Sequence, residues 1–160
     1  KLDMGDGFWL PQDAEEVDFT NWISNSTLGH KLKKIKAMNI LVMSDSCYSG
    51  SWLTRGKSND INKEKRDLKD YLNIKSRVVI TSGGEYPVLD DAGIGHSIFA
   101  KIMIDYLTNN SQPLKAEELY IATSDDIKIF SEKMGHKQIP LYGGLKQYGH
   151  KGPDFVFLPR

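Results

Sequence analysis

Cys47 is the residue with the most chemistry to offer, and it is the only cysteine among 160 residues. It follows the run Asn39-Ile40-Leu41-Val42-Met43 by way of Ser44-Asp45-Ser46, and Gly50 comes three positions after it. An unbroken apolar run of this length reads as a strand buried on both faces, as in a parallel sheet. Active sites of open α/β sheets lie just beyond the carboxyl ends of such strands. A thiol there can meet a base from a neighbouring strand end, and a backbone N–H of the turn can face a developing oxyanion. A lone cysteine is also commonly a small buried hydrophobe. Position and flanks therefore leave both a nucleophile and a packing residue open.

A thiol nucleophile needs a base to form thiolate and an acid to protonate the leaving amine. The chain has four histidines. His96 follows a Gly-x-Gly turn and reads as the first residue of a helix, where the dipole disfavours an imidazolium. His30, His136 and His150 read as surface or loop residues.

The elements that must position Cys47 follow from apolar spacing. Phe8-Trp9-Leu10, stopped by Pro11, predicts a short strand or extended arm. Leu28 to Ala37 is the expected first helix, with Asn25 or Ser26 as its N-cap. Thr54 to Lys69 carries charge without apolar pattern and reads as a loop running into a helix near Lys65 to Leu72. Arg77-Val78-Val79-Ile80-Thr81 is a second buried-type strand, ended by Ser82-Gly83-Gly84. Asp90 to Gly95 reads as a turn. Ile98, Ile102 and Tyr106 place one face of a helix over His96 to Leu107. Ala116, Leu119, Thr123, Ile127 and Phe130 do the same over Leu114 to Phe130. Asp154 to Leu158 is the last expected strand. Strands alternating with helices predict a single α/β layered domain over residues 1–160, with a mostly parallel sheet.

Composition narrows the function classes. Lys plus Arg and Asp plus Glu number 21 each, for a formal net charge of zero. No long-range pull toward nucleic acid or anionic membrane follows, and neither is expected as a partner. One cysteine forbids an internal disulfide and suggests a reducing, cytoplasmic setting. No apolar run approaches the ~20 residues that span a bilayer.

The segment Ser44-Asp45-Ser46-Cys47-Tyr48-Ser49-Gly50 resembles the nucleophile loop of bacterial caspase-like and metacaspase-like cysteine peptidases, where D-x-C-x-S-G follows a buried strand. Gly7-Phe8-Trp9-Leu10-Pro11-Gln12-Asp13-Ala14 resembles the segment after that family's catalytic G-H-G. Thr20 to Ser24 is similar to the approach to the next helix. Ile80 to Gly84 is similar to the substrate-binding strand, and Gly95 to Ala100 to the start of the following helix. The likeness runs over essentially the whole chain.

The resemblance implies a caspase-like sandwich and a cysteine endopeptidase with Cys47 as nucleophile. It implies substrate contacts from Asp45, Ser82, Gly83 and Glu85, with Thr81 to Gly83 binding a peptide as an added strand. Asp45 would line the first specificity pocket, and a buried carboxylate there would pair with an Arg or Lys side chain. Capping of its own loop is the other role open to Asp45. The chain contains no G-H-G, so the resemblance places the histidine and the first two strands upstream of Lys1. The implied partners are a protein or peptide substrate and that N-terminal segment. The loop lacks the Q-A-C signature of animal caspases, so their Asp specificity is not carried over. A catalytically inactive caspase-like interaction module is the alternative. The basic stretch Arg55, Lys57, Lys63, Lys65, Arg66 occupies the family's linker position and would suit self-processing. Some relatives need calcium, but Asp90 and Asp91 form no EF-hand pattern, and no metal or other cofactor is assigned.

Overall fold

The computed structural model describes residues 7–46, 53, 67–83 and 95–159. Its centre is a three-stranded sheet in the order β3 (Asn39–Ser44), β4 (Ser76–Thr81), β6 (Leu141–Gly144). β3 and β4 run parallel from Asn39 opposite Ser76 to Ser44 opposite Thr81. β6 is antiparallel to β4, with Val78 opposite Gly144 and Thr81 opposite Leu141. The sheet is therefore mixed, and the expectation of mostly parallel pairing holds only for β3 and β4. Two short antiparallel pairs flank it: β1 (Phe8–Trp9) with β2 (Ile23–Ser24), and β5 (Leu114–Lys115) with β7 (Val156–Phe157).

β4 explains why the apolar run has no alternation. Successive side chains of a strand point to opposite faces, and here both faces are covered. Val78 and Ile80 pack on one side with Ile98, Phe99, Met103, Leu119 and Ile127. These belong to helices α3 (Ile98–Asn109) and α4 (Ala116–Lys133). Val79 packs on the other side with Leu145, Tyr148 and Leu32, the last from α1 (Asn25–Lys34). Burying each such side chain is worth about 1.5–3 kcal/mol. The molecule is a mixed α/β sandwich, with helices on both faces of the sheet. A fourth described helix, α2 (Leu68–Asn73), leads into β4.

β3 departs from the expectation of burial on both faces. Ile40 and Val42 lean on the α1 side and Leu41 on the α3–α4 side, yet all three are only half-buried, and Met43 is exposed. The cause is position. β3 has β4 on one side, and no described strand pairs with its other edge.

Helix α1 begins at Asn25, three residues before the expected start. Ser24, not Asn25 or Ser26, is the N-cap, its Oγ accepting from the Thr27 N–H at 3.0 Å. The helix stops before Ile35 because Arg77 takes over the carbonyls there. The Arg77 side chain is fully buried. Its Nε donates to Leu32 O (3.1 Å), Nη1 to Met38 O (2.9 Å) and Ser76 O (2.7 Å), and Nη2 to Ile35 O (2.9 Å) and Ala37 O (2.8 Å). A guanidinium has five N–H donors, and each has a carbonyl. A cation also suits the negative end of the α1 dipole. Burial lowers its pKa from the usual value.

Close approach fixes Gly29 of α1: a Cβ there would fall 2.2 Å from the Tyr148 ring. On the far side, Asp154 holds the start of α4, accepting from the N–H groups of Glu117 (2.8 Å) and Phe155 (2.7 Å) and from Tyr142 Oη (2.9 Å). Burial raises the Asp154 pKa, and burial with the neighbouring Asp154 charge raises that of Tyr142. Phe130, expected inward on α4, is 51% exposed, while Ala116, Leu119, Thr123 and Ile127 are buried as expected.

Candidate active site

The carboxyl ends of β3 and β4 come together by their register. Beyond the last pair, Ser44 opposite Thr81, the Ser82 N–H donates to Ser44 O at 2.8 Å. Ser44 is buried, and its Oγ shares a 3.0 Å hydrogen bond with Ser46 Oγ. The chain thus leaves the sheet at Asp45-Ser46 with its path set by two polar contacts. Cys47 follows directly and lies outside the described residues, as do Glu85, Asp90, Asp91 and the basic stretch 55–66.

Asp45 is exposed, which corrects the expectation of a buried carboxylate. It sits past the end of the pleat, where the sheet no longer covers it. Its Oδ2 accepts a short hydrogen bond from Ser97 Oγ. That hydroxyl also accepts from the Ala100 N–H at 2.9 Å, making Ser97 the N-cap of α3. Ser97 itself is buried, at 6% exposure. One atom therefore fastens the end of β3 to the beginning of α3. Among the described residues the Asp45 side chain engages another side chain, and the loop N–H groups it was expected to cap lie outside the described residues.

Ser82 and Gly83 stand at the same end of the sheet. Ser82 is fully buried, and its Oγ has no hydrogen-bond partner among the described residues. Gly83 O accepts from Thr81 Oγ1 at 3.2 Å. The idea of a substrate strand added along Thr81 needs correction, because Thr81 already lies between Ser44 and Leu141. Gln138, three residues before the β6 residue opposite Thr81, is 2% exposed with neither amide atom partnered among the described residues.

His96 precedes Ser97 and so lies at this end of the sheet, with an exposed side chain. The turn before it needs Gly95, whose φ is +78°. His30 and His136 are exposed as expected. His150 is not a plain surface residue: it is half-buried, and its Nδ1 accepts from the Arg77 N–H at 3.2 Å. Burial, and then the charge of Lys146, lower its pKa below the ordinary imidazole value. This histidine belongs to the amino end of β4, at the opposite end of the sheet.

Of the residues expected from sequence, Asp45, Ser82 and Gly83 lie together at this end of the sheet, and Ser97, which was not expected there, joins them. A serine just before an apolar helical run carries a legible N-cap signal, but nothing in the sequence ties it to a carboxylate 52 positions away. No protein-family model, curated protein or solved structure matches this chain. Elsewhere, a groove of about 850 Å³ runs between α3 and α4, lined by Ile102, Tyr106, Phe130 and Met134. None of the residues expected from sequence to form the site lines it. Among the described residues no helix is long and apolar enough to cross a membrane.

Proposed function

We propose that this chain is the nucleophile-bearing majority of a caspase-like cysteine endopeptidase domain that cleaves proteins after Arg or Lys. The observation that carries the reading is the placement of Asp45: at the carboxyl end of a parallel strand pair, two residues before Cys47, exposed, and held by a side chain from another element. Helices on both faces of the sheet are compatible with the caspase-like sandwich. In this reading a histidine from a segment preceding Lys1 takes the Cys47 proton. The thiolate attacks the scissile carbonyl, the imidazolium protonates the leaving amine, and water then hydrolyses the thioester. The edge of β3 that has no partner among the described strands is the place where that segment would pair. The setting is cytoplasmic, with no metal assigned. An exposed carboxylate gains little from a solvated ion pair, ~0–1 kcal/mol. Selectivity for a basic side chain thus depends on substrate covering Asp45 and on bidentate contact, which favours Arg over Lys.

The second reading is a catalytically inactive caspase-like module for protein interaction. It is favoured by one observation: no histidine among the described residues hydrogen-bonds to Asp45, Ser46, Ser82 or Ser97. Fluorogenic peptides ending in Arg, Lys or Asp, offered to the protein with its upstream segment, separate the two. Cleavage after Arg or Lys that disappears in Cys47→Ala is the expected result. Cleavage after Asp would retain the nucleophile and end the Asp45 argument. A folded protein without cleavage, with or without calcium, would favour the interaction module.

A further inference from the structure

Ser97 does two jobs with one oxygen. As acceptor it caps α3 through the Ala100 N–H, and as donor it binds Asp45 Oδ2. The first contact fixes the hydroxyl's place, and the second passes that rigidity to a side chain that is otherwise exposed. A free carboxylate at the end of a strand would sample several rotamers, and holding it still for a ligand costs conformational entropy on binding. The Ser97 bond removes much of that cost beforehand. It engages Oδ2, and no donor among the described residues reaches Oδ1.

We propose that Ser97 is a positioning residue for basic-side-chain specificity, pre-orienting the Asp45 carboxylate to receive the guanidinium of an arginine. This rests on the reading of Asp45 as the specificity acid. The chemistry recognised is a planar, multi-donor cation, one N–H of which bonds Oδ1 while a second shares Oδ2 with Ser97, since each carboxylate oxygen accepts more than one hydrogen bond.

The test must separate capping from positioning. Ser97→Gly does so, because glycine at an N-cap costs a helix only a few tenths of a kcal/mol relative to serine, while the hydroxyl offered to Asp45 is gone. Ser97→Thr keeps both functions. In the full chain, Ser97→Gly is expected to raise KM for Arg-ending peptides about tenfold, the equivalent of one hydrogen bond to a charged group. Over the same change kcat moves far less, the Tm stays close to wild type, and Ser97→Thr restores KM. An unchanged KM in Ser97→Gly overturns the proposal.

A second arm does not need turnover: calorimetric binding of arginine amide to the Cys47→Ala protein, with and without Ser97→Gly. Binding weakened by Ser97→Gly, together with no cleavage by the protein that keeps Cys47, would uphold the positioning role and remove the peptidase reading. Cys47-dependent cleavage after Asp alone would do the reverse. Absence of both cleavage and arginine-amide binding would overturn both.

Discussion

The two ends of β4 handle polarity in opposite ways. At the amino end the buried Arg77 guanidinium has a carbonyl for every donor, and the Arg77 N–H has His150 Nδ1. At the carboxyl end the buried Ser82 hydroxyl and the nearby Gln138 amide have no partner among the described residues, and Asp45 has one side-chain contact and an exposed flank. A buried polar group left unpaired costs ~1–3 kcal/mol. Among the described residues the amino end is therefore fully paired and the carboxyl end is not.

The hardest blow to that contrast comes from Arg77→Met. It leaves five carbonyls without their donor at the junction of α1, β3 and β4, and is expected to cost about 3 kcal/mol or more. For a chain of this size the Tm should fall by roughly 10 °C, measurable by thermal denaturation. A fall of only a degree or two would mean that water replaces the guanidinium and that the amino end is no anchor.

Acid gives a smaller, graded version. The His150 pKa is depressed in the folded state, so its neutral ring contributes fully above the ordinary imidazole value of about 6.5. That contribution is lost as pH falls through the folded value, because protonation removes the Nδ1 acceptor used by the Arg77 N–H. Wild-type Tm should drop on acidification from neutrality, and His150→Asn, which keeps an acceptor near Nδ1 without titrating, should remove that part of the drop. Identical pH profiles would discard the linkage.

The smallest effect is expected at the other end. Gln138→Met replaces an unpartnered buried amide with an apolar side chain of similar length, a change that is neutral or mildly stabilising when no partner exists. An unchanged or slightly raised Tm sharpens the contrast. A clear loss of stability would show that the amide is satisfied in solution, and would narrow the difference between the ends.

The sequence reveals the two ends unequally. Val78-Val79-Ile80 announces β4 because a strand covered on both faces must be apolar throughout. Asp45 is legible through the motif that contains it. β6 is not, since Tyr142-Gly143-Gly144 offers no apolar run and no strand is expected there. Only the fold shows what the glycines make room for: a Cβ on Gly143 would fall 2.6 Å from Leu53 Cδ2, and one on Gly144 2.5 Å from His150 Cδ2, so these side chains would have to move. Arg77 reads as a charge at the mouth of a strand, because the carbonyls it gathers come from residues up to 45 positions away. Ser97 is legible as a cap, and its tie to Asp45 is not. What escapes the sequence in each case is a contact between distant segments, not a local preference.

The side of β3 that no described strand pairs leaves a signature in isotope exchange. Met38 O and Ser44 O both point at β4, receiving the Ser76 and Ser82 N–H groups. The pleat then turns the amides of Ile40 and Val42 toward β4 and those of Leu41 and Met43 away from it. In deuterated water the strand should read as alternating slow and fast sites, one residue apart. A polypeptide laid along that edge would slow Leu41 and Met43 and leave Ile40 and Val42 nearly as they were, so two neighbouring pairs of amides record both that a strand has arrived and on which side.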